Sequence, residues 1–342
     1  MLNKRSNHLV ILVATYNRLE PLKLSLASIA EGTRCSHEII VIDGGSGDGT
    51  VDYLKLHPGV TPVFQGGLLG TARCYNEVWR QIESKYTCWL SDDTEVIAGS
   101  LDLAVGILDE HTEVGMVGLK MKDTVGPWEK EAYMGALTEY GIITCNHGVL
   151  RTNLLKSLGY FNERYHSYTI DADLTASVLS AGKRVVLTKH VSVLHHREWA
   201  THEVEAKIKR ETKGIDNAQV YHEKFGFLEA SHNLWARLSA SFGYRLARRL
   251  FSASSQRSTW AGLSRRDWIN LTAGRFIRFA DPIENRGRPY HLVQRIPPSL
   301  LNSKRNPYGH LVRSENTLDG PYRSRERIID VKRVDHSTTY DQ

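Results

Sequence analysis

The chain has 342 residues, of which 41% are hydrophobic and 24% are charged, as in an ordinary globular protein. Its four cysteines form no CxxC pair, which argues against a zinc site or a disulfide framework, and no stretch approaches the ~20 apolar residues of a membrane-spanning helix. The formal net charge of +6 is mild, and much of the positive charge lies in the C-terminal third.

Strand and helix signals alternate in the first part of the chain. The apolar run LVILVA indicates a first strand, because no small-residue cleavage site follows that would make it a signal peptide. The expected elements are strand HLVILVA, helix 19–31, strand HEIIVI, a helix near 50–56, strand VTPVF, a helix over 70–83 and strand YTCWL. Repeated β-α-β units predict a mostly parallel sheet with right-handed crossovers.

Beyond residue 115 the order of elements changes. VGMVGLKM and EAYMGAL have the composition of strands, and GVLR is a further strand edge before a short helix that Gly159 ends. DADLTASVLS predicts a helix that Gly182 ends, and the strands that follow it are KRVV and HVSVLHH.

Three polar clusters come directly after predicted strands. They are TYNR (15–18), DGGSGDGT (43–50) and SDDTE (91–95). In open parallel sheets, ligands bind outside the carboxyl ends of the strands, so we expect these loops to converge on one crevice.

Asp92 and Asp93 follow the strand YTCWL without a spacer. Adjacent carboxylates repel each other, and a divalent cation relieves that repulsion. Mg²⁺ or Mn²⁺ is typically held by one or two carboxylates together with substrate phosphates. On the pair alone, a solvated acidic turn that caps the next helix is the favoured interpretation.

Two other positions have the chemistry of a nucleotide site. The carboxylate of Asp43 can accept hydrogen bonds from a base or ribose, and the glycines around it allow close approach of the backbone. The alternative to a nucleotide-binding role for this segment is a tight turn in which Asp48 caps the next helix. Arg73, at a helix start, can pair with a diphosphate or form a surface salt bridge.

Candidates for proton transfer and metal binding lie later in the chain. Asp171 and Asp173 open a helix, where a carboxylate either acts as general base or simply complements the helix dipole. His195 and His196 follow a strand, and one imidazole could contact a metal or a phosphate. A structural or solvated histidine pair is the alternative.

Taken in order, several of these segments resemble the inverting family-2 glycosyltransferases of the GT-A fold. The matching stretches are VILVATYNR, IIVIDGGSGDGT, LSDDTEV, residues 148–185 and VSVLHH, so the resemblance covers roughly residues 8–200. It implies an α/β fold with a Rossmann-like, mostly parallel sheet flanked by helices. It also implies an enzyme that uses a nucleotide-sugar donor and Mn²⁺ or Mg²⁺.

The resemblance assigns roles to seven residues. The implied roles are nucleoside contact for Thr15 and Asp43, ribose or diphosphate contact for Arg73, ribose contact for Asp92, metal binding for Asp93, general base for Asp171, and a second metal or phosphate contact for His195. The chain departs from the family pattern at Ser91, Gly44 and Ile170, where acids are usual. Asp173 stays open as an alternative to Asp171 for the general base, and His196 as an alternative to His195 for the metal or phosphate contact.

The C-terminal part differs in composition. Residues 1–225 are predicted to be the catalytic domain, 226–300 a basic and aromatic helical annex, and 301–342 a polar, arginine-rich tail. Within 235–250, apolar residues recur at helical spacing beside arginines. That face is expected to pack on the catalytic domain or, alternatively, to lie on an anionic membrane surface.

Together these features predict a cytoplasmic, metal-dependent, inverting glycosyltransferase. Its donor would be a UDP-, GDP- or dTDP-linked sugar, and its acceptor a saccharide. A glycan carried on a lipid at the inner membrane face would suit the basic annex. The rivals are a nucleotidyltransferase, a nucleic-acid-binding protein and a non-catalytic sugar-nucleotide binder, although nucleic acid is not the expected partner.

Overall fold

The computed structural model describes residues 8–125, 129, 132, 133, 135, 136, 138, 140–165, 168–196, 217–228, 290–296 and 298–318. The predicted amphipathic helix at 235–250 and the segment 319–342 lie outside these residues. Within the described part of the chain, no helix has both the length and the apolar character to cross a membrane.

Strands and helices alternate over residues 9–91, as the sequence predicts, and the order changes beyond that point. The strands are β1 (Leu9–Thr15), β2 (His37–Asp43), β3 (Thr61–Phe64), β4 (Tyr86–Ser91), β5 (Thr94–Val96), β6 (Val114–Gly118), β7 (Met121–Asp123), β8 (Gly148–Arg151), β9 (Arg184–Thr188), β10 (Val193–His195) and β11 (Tyr290–Gln294). The helices are α1 (Leu19–Gly32), α2 (Thr50–Leu56), α3 (Thr71–Trp79), α4 (Ser100–Glu110), α5 (Thr152–Leu158), α6 (Ile170–Ser180), α7 (Asn217–Phe225), α8 (Pro298–Leu301) and α9 (Gly309–Leu318).

The central sheet is mostly parallel. Among the described residues it has eight strands, in the order β11-β9-β6-β8-β4-β1-β2-β3. β1 runs parallel to both β2 and β4, β2 to β3, and β6 to β9. β8 and β11 are antiparallel to their neighbours. The carboxyl ends of β1, β2 and β4 therefore meet at one edge of the sheet.

Both faces of the sheet are buried, which explains why its strands are continuous apolar runs. In β1, Val10 and Leu12 join the core that contains Trp79 of α3, whereas Leu9 and Ile11 join the opposite core with α1 and α4. Alternate side chains of a strand point to opposite faces, so a strand covered on both sides needs apolar residues at every position.

A second, smaller sheet brings together segments that are far apart in the sequence. Its strand order is β5-β10-β7, with β10 antiparallel to β5 and parallel to β7. His195 at the end of β10 thereby pairs in register with Thr94 on one side and Asp123 on the other. The strand predicted in EAYMGAL is represented, among the described residues, by a bridge between Tyr133 and Met121.

Residues 290–296 and 298–318 make several contacts with β9 and α6. β11 pairs with β9, Asn306 Nδ2 donates to the carbonyl of Ser180 at 2.9 Å, and Tyr308 Oη donates to Ser177 Oγ at 3.1 Å. The polar segment predicted as a tail therefore includes residues that pack on the sheet, among them the buried Val312. The boundary at residue 300 stays a prediction.

Candidate active site

The three polar clusters meet at one edge of the sheet. β1 ends at Thr15, which is in register with Asp43 at the end of β2. Asp92 and Asp93 follow β4, whose last residue Ser91 pairs with Ala14. The three clusters therefore follow adjacent parallel strands, at the edge of the sheet where open α/β sheets bind ligands.

Asp92 is held by two donors, one at the end of β1 and one in the loop that follows it. Its side chain accepts a hydrogen bond from Thr15 Oγ1 at 2.8 Å and another from Arg18 Nη1 at 2.9 Å. Burial raises the pKa of Asp92 to about 6, with the Arg18 charge acting against that rise and the Asp93 charge adding to it. The residue is 3% exposed.

Asp93 is surrounded by donors on both carboxylate oxygens. Ser91 Oγ donates to Oδ1 at 2.6 Å, Arg18 Nη1 donates to Oδ2 at 3.1 Å, and His195 Nε2 lies 3.4 Å from Oδ2. Burial alone would raise the pKa of Asp93, but His195, Arg18 and Ser91 together hold it well below the usual range. Asp93 is therefore ionised at neutral pH.

Asp123 orients the imidazole of His195. Nδ1 of His195 lies 3.0 Å from Asp123 Oδ1, which also accepts a hydrogen bond from the hydroxyl of Tyr133 at 2.7 Å. A carboxylate on one ring nitrogen fixes the tautomer and leaves the other nitrogen available to a metal. His196 instead lies 2.8 Å from Glu95 through its Nε2. The structure thus brings the imidazole of His195 to the Asp93 carboxylate, whereas His196 reaches Asp93 only through its backbone amide, which donates to the Asp93 carbonyl at 2.8 Å.

Asp93 and His195 have the chemistry and the spacing of two cation ligands. Their 3.4 Å separation is close to the ~3 Å between adjacent ligands of an octahedral ion with bonds of about 2.1 Å. No group of three or more His, Cys, Asp or Glu among the described residues is arranged to hold a metal. Further ligands would have to come from substrate phosphates and water, as is usual for Mg²⁺.

Asp171 and Asp173 have different surroundings at the start of α6. The buried Asp173 forms an ion pair with Lys224 of α7 and accepts hydrogen bonds from Asn162 Nδ2 at 3.3 Å and Ser177 Oγ at 3.2 Å. Asp171 is half-buried, and burial raises its pKa even though nearby backbone amides and the Thr144 hydroxyl act in the opposite direction. Among the described residues, Asp173 has an ion-pair partner and Asp171 has none.

The model of glycosyl transferase family 2 matches residues 10–180, which is half of the chain. The chain belongs to glycosyl transferase family 2. It is therefore a glycosyltransferase, and its α/β sheet is of the GT-A type that the sequence predicts. This membership excludes the nucleotidyltransferase alternative.

Solved structures of other glycosyltransferases are similar in fold. The mannosyltransferase PcManGT from Pyrobaculum calidifontis, in complex with GDP-Man and Mn²⁺, is 19% identical, with 79% of this chain and 87% of that chain covered and a TM-score of 0.46. S. aureus TarS 1-349 in complex with UDP-GlcNAc is 19% identical, with 83% of this chain and 98% of that chain covered and a TM-score of 0.48. Likeness at this level identifies neither donor nor acceptor. No curated protein matches the chain.

Two predicted donor-site residues of the glycosyltransferase are occupied by local contacts. The buried carboxylate of Asp43 accepts hydrogen bonds from the amides of Gly45 and Ser46, at 2.9 Å and 3.1 Å through Oδ2, so it also forms the turn that the alternative interpretation describes. The exposed Arg73 pairs with Glu77 at 3.0 Å, one helical turn away. The structure brings Thr15, Asp92, Asp93 and His195 into one cluster of hydrogen bonds and ion pairs. Among the described residues, the side chains of Asp43, Arg73 and Asp171 form their contacts outside this cluster.

Sequence reasoning missed two residues of this glycosyltransferase cluster. Arg18 belongs to the TYNR segment, but nothing in that segment shows that its guanidinium reaches both aspartates. Asp123 lies on a short strand in a part of the chain without a recognisable motif. For Arg18 the available signal was its place directly after a strand of the site, whereas Asp123 had none.

Proposed function

We propose that this glycosyltransferase transfers a sugar from a UDP-, GDP- or dTDP-linked donor to a saccharide hydroxyl, with a divalent cation and with inversion at the anomeric carbon. The observation that carries the proposal is the buried pair of Asp92 and Asp93 beside His195, at the carboxyl ends of parallel strands. Two adjacent buried carboxylates with an oriented imidazole suit a site for a cation and a diphosphate.

The residues of the cluster fit the binding of Mn²⁺ or Mg²⁺. Asp93 and His195 would hold the cation, while Asp123 fixes the ring of His195 through Nδ1. When bound, the cation neutralises the negative charge that develops on the leaving diphosphate. Ser91 donates to Asp93 Oδ1 and so keeps the other oxygen, Oδ2, directed toward His195.

Donor binding would involve the loops around this cluster. Thr15 and Asp43 would contact the nucleoside, Asp92 the ribose, and Arg73 the ribose or diphosphate. The hydrogen bond from Thr15 to Asp92 supports a donor surface that these two residues share. Arg73 would have to exchange its exposed contact with Glu77 for the donor, which costs little because surface ion pairs contribute only ~0–1 kcal/mol.

Asp171 is proposed as the general base. It would take the proton from the acceptor hydroxyl as the hydroxyl oxygen attacks the anomeric carbon and the nucleoside diphosphate leaves from the opposite face. A raised pKa makes a carboxylate a better proton acceptor, and burial raises the pKa of Asp171. Asp173 is the weaker candidate because Lys224 neutralises it.

A cytoplasmic location is also proposed, at the inner face of the membrane with a glycan acceptor that a lipid carries. The support is the basic and apolar pattern of residues 226–300 in the sequence. The division of the chain at residue 225 into a catalytic domain and an annex stays a prediction.

Calorimetric titration of UDP, GDP and dTDP, each with Mn²⁺ and then with EDTA, tests the proposal. We expect one diphosphate to bind, and only with Mn²⁺. Asp93→Ala should weaken this Mn²⁺-dependent binding, whereas Asp52→Ala, at an exposed aspartate paired with Lys55, should behave as the wild type. Failure of all three diphosphates to bind in the presence of Mn²⁺ would refute the proposed donor site.

A further inference from the structure

Arg18 bridges the two aspartates of the proposed cation site. Its Nη1 lies 2.9 Å from Asp92 Oδ1 and 3.1 Å from Asp93 Oδ2. The same Oδ2 atom of Asp93 faces His195 Nε2 at 3.4 Å. The carboxylate oxygen expected to bind the cation thus already carries a positively charged donor.

The charge of Arg18 balances the site when no cation is bound. Asp92 and Asp93 are 3% and 7% exposed, and two buried carboxylates next to each other need a counter-charge. A guanidinium stays protonated in proteins, so Arg18 can release the aspartates only by moving away. A cation on Asp93 and the guanidinium would otherwise share one oxygen, and their like charges repel.

The donor diphosphate of the proposed reaction is a second possible partner for Arg18. Its side chain is 28% exposed, at the junction between β1 and α1. Guanidinium groups bind phosphate oxygens with two parallel hydrogen bonds. A donor diphosphate at the ends of these strands would therefore attract Arg18 away from the carboxylates.

We propose that Arg18 is an internal competitor of the metal. In the free enzyme it neutralises Asp92 and Asp93 and weakens cation binding, and the donor diphosphate removes this competition by taking the guanidinium as its own partner. This inference rests on the proposed function, because it uses the same cation and diphosphate. The competition makes the binding of the cation and of the diphosphate interdependent. By thermodynamic linkage, each ligand raises the affinity for the other by the same factor.

The decisive experiment is titration of Mn²⁺ alone into the wild type, Arg18→Gln and Arg80→Gln, by calorimetry. Arg80 is a matched control, since it pairs with Glu163 at the surface. We expect Arg18→Gln to bind Mn²⁺ more tightly than the wild type by roughly 5- to 150-fold, the usual range of a coupling between two binding events. Arg80→Gln should match the wild type.

A second titration measures the coupling itself. Mn²⁺ is titrated in the presence of UDP, GDP or dTDP, and the gain in Mn²⁺ affinity that the nucleotide causes is compared between proteins. The gain should be clearly smaller in Arg18→Gln, because the competition that the nucleotide relieves is absent there. An equal gain in both proteins would contradict the inference.

The outcomes separate this inference from the proposed function. If folded Arg18→Gln binds Mn²⁺ no more tightly than the wild type, Arg18 is not a competitor, although nucleotide-dependent metal binding by the wild type would still stand. If Arg18→Gln fails to fold in a thermal melt, Arg18→Met decides: it keeps an apolar stem without the charge, so it should bind Mn²⁺ more tightly, and equal or weaker binding refutes the inference. Absence of Mn²⁺ binding with any nucleotide would refute both.

Discussion

Replacement of Lys224 by methionine should destabilise the protein through a charge left inside it. Lys224 of α7 forms an ion pair with Asp173 of α6 and lies over the rings of Phe225 and Tyr308. Methionine keeps most of the apolar stem that packs there and removes the ammonium group. The carboxylate of Asp173 then stays in the interior without its counter-charge.

The size of the effect follows from the burial of the pair. The side chains of Asp173 and Lys224 are 1% and 21% exposed, and removal of one partner from a buried pair costs about 3–5 kcal/mol. Asn162 and Ser177 continue to donate to Asp173 at 3.3 Å and 3.2 Å. We therefore expect the lower end of the range, about 3 kcal/mol in the free energy of unfolding.

Urea denaturation of Lys224→Met and of the double variant Lys224→Met, Asp173→Asn measures this effect. At about 2–4 °C per kcal/mol for large domains, the single variant should also melt about 6–12 °C lower. The double variant should recover most of the loss, since it contains no unpaired charge. A single variant that loses less than about 1 kcal/mol, or a double variant that is no better than the single one, would show that the Asp173 charge is stabilised elsewhere.

Four further outcomes are expected. Asp171→Asn should bind the donor diphosphate normally but lose transfer by roughly 10²–10⁴-fold, measured as kcat beside a calorimetric Kd. Because a base must be ionised and burial raises the pKa of Asp171, kcat should fall with acidity at a pH above the ~4 of an ordinary aspartate. Asp123→Asn should weaken Mn²⁺ binding in the presence of nucleotide about 10- to 100-fold. Gly148→Ala should cost about 1–3 kcal/mol in urea unfolding, because its new Cβ would lie 2.8 Å from the carbonyl oxygen of Val117.

Each of these has a result that would contradict it. Full transfer by Asp171→Asn, or a kcat that stays level down to about pH 4, removes Asp171 as the base. Unchanged Mn²⁺ affinity in Asp123→Asn would mean that His195 does not need its carboxylate partner. Unaltered stability of Gly148→Ala would show that β8 can shift away from its neighbour β6.

Much of the fold could be predicted because its determinants are local. A strand covered on both faces must be apolar at every position, and the strand signals at β1, β2 and β4 rest on that requirement. Gly159 and Gly182 each have φ +82, a conformation that favours glycine, which is why they could be expected to end α5 and α6. The three polar clusters followed from the rule that loops after parallel strands meet.

The contacts within the site could not be predicted, because they join distant segments. Arg18 and Asp92 are 74 residues apart, and His195 and Asp123 are 72 residues apart. Which loops come within hydrogen-bonding distance depends on the strand order and on the small sheet of β5, β10 and β7, which composition does not specify. The pairing of β11 with β9 could not be predicted for the same reason, since about a hundred residues separate the two strands.

The position of β11 has a consequence for the synthesis of the protein. β9 contains Val185, Val186 and Leu187, all of which are buried, and one of its edges is covered by β11. Ribosomes add about 5–20 residues per second, so roughly 5–20 s pass between the translation of β9 and that of β11. During that interval the edge of β9 offers unpaired backbone groups to other nascent chains. Slower translation would lengthen this exposure, and chains truncated before residue 290 would keep it permanently.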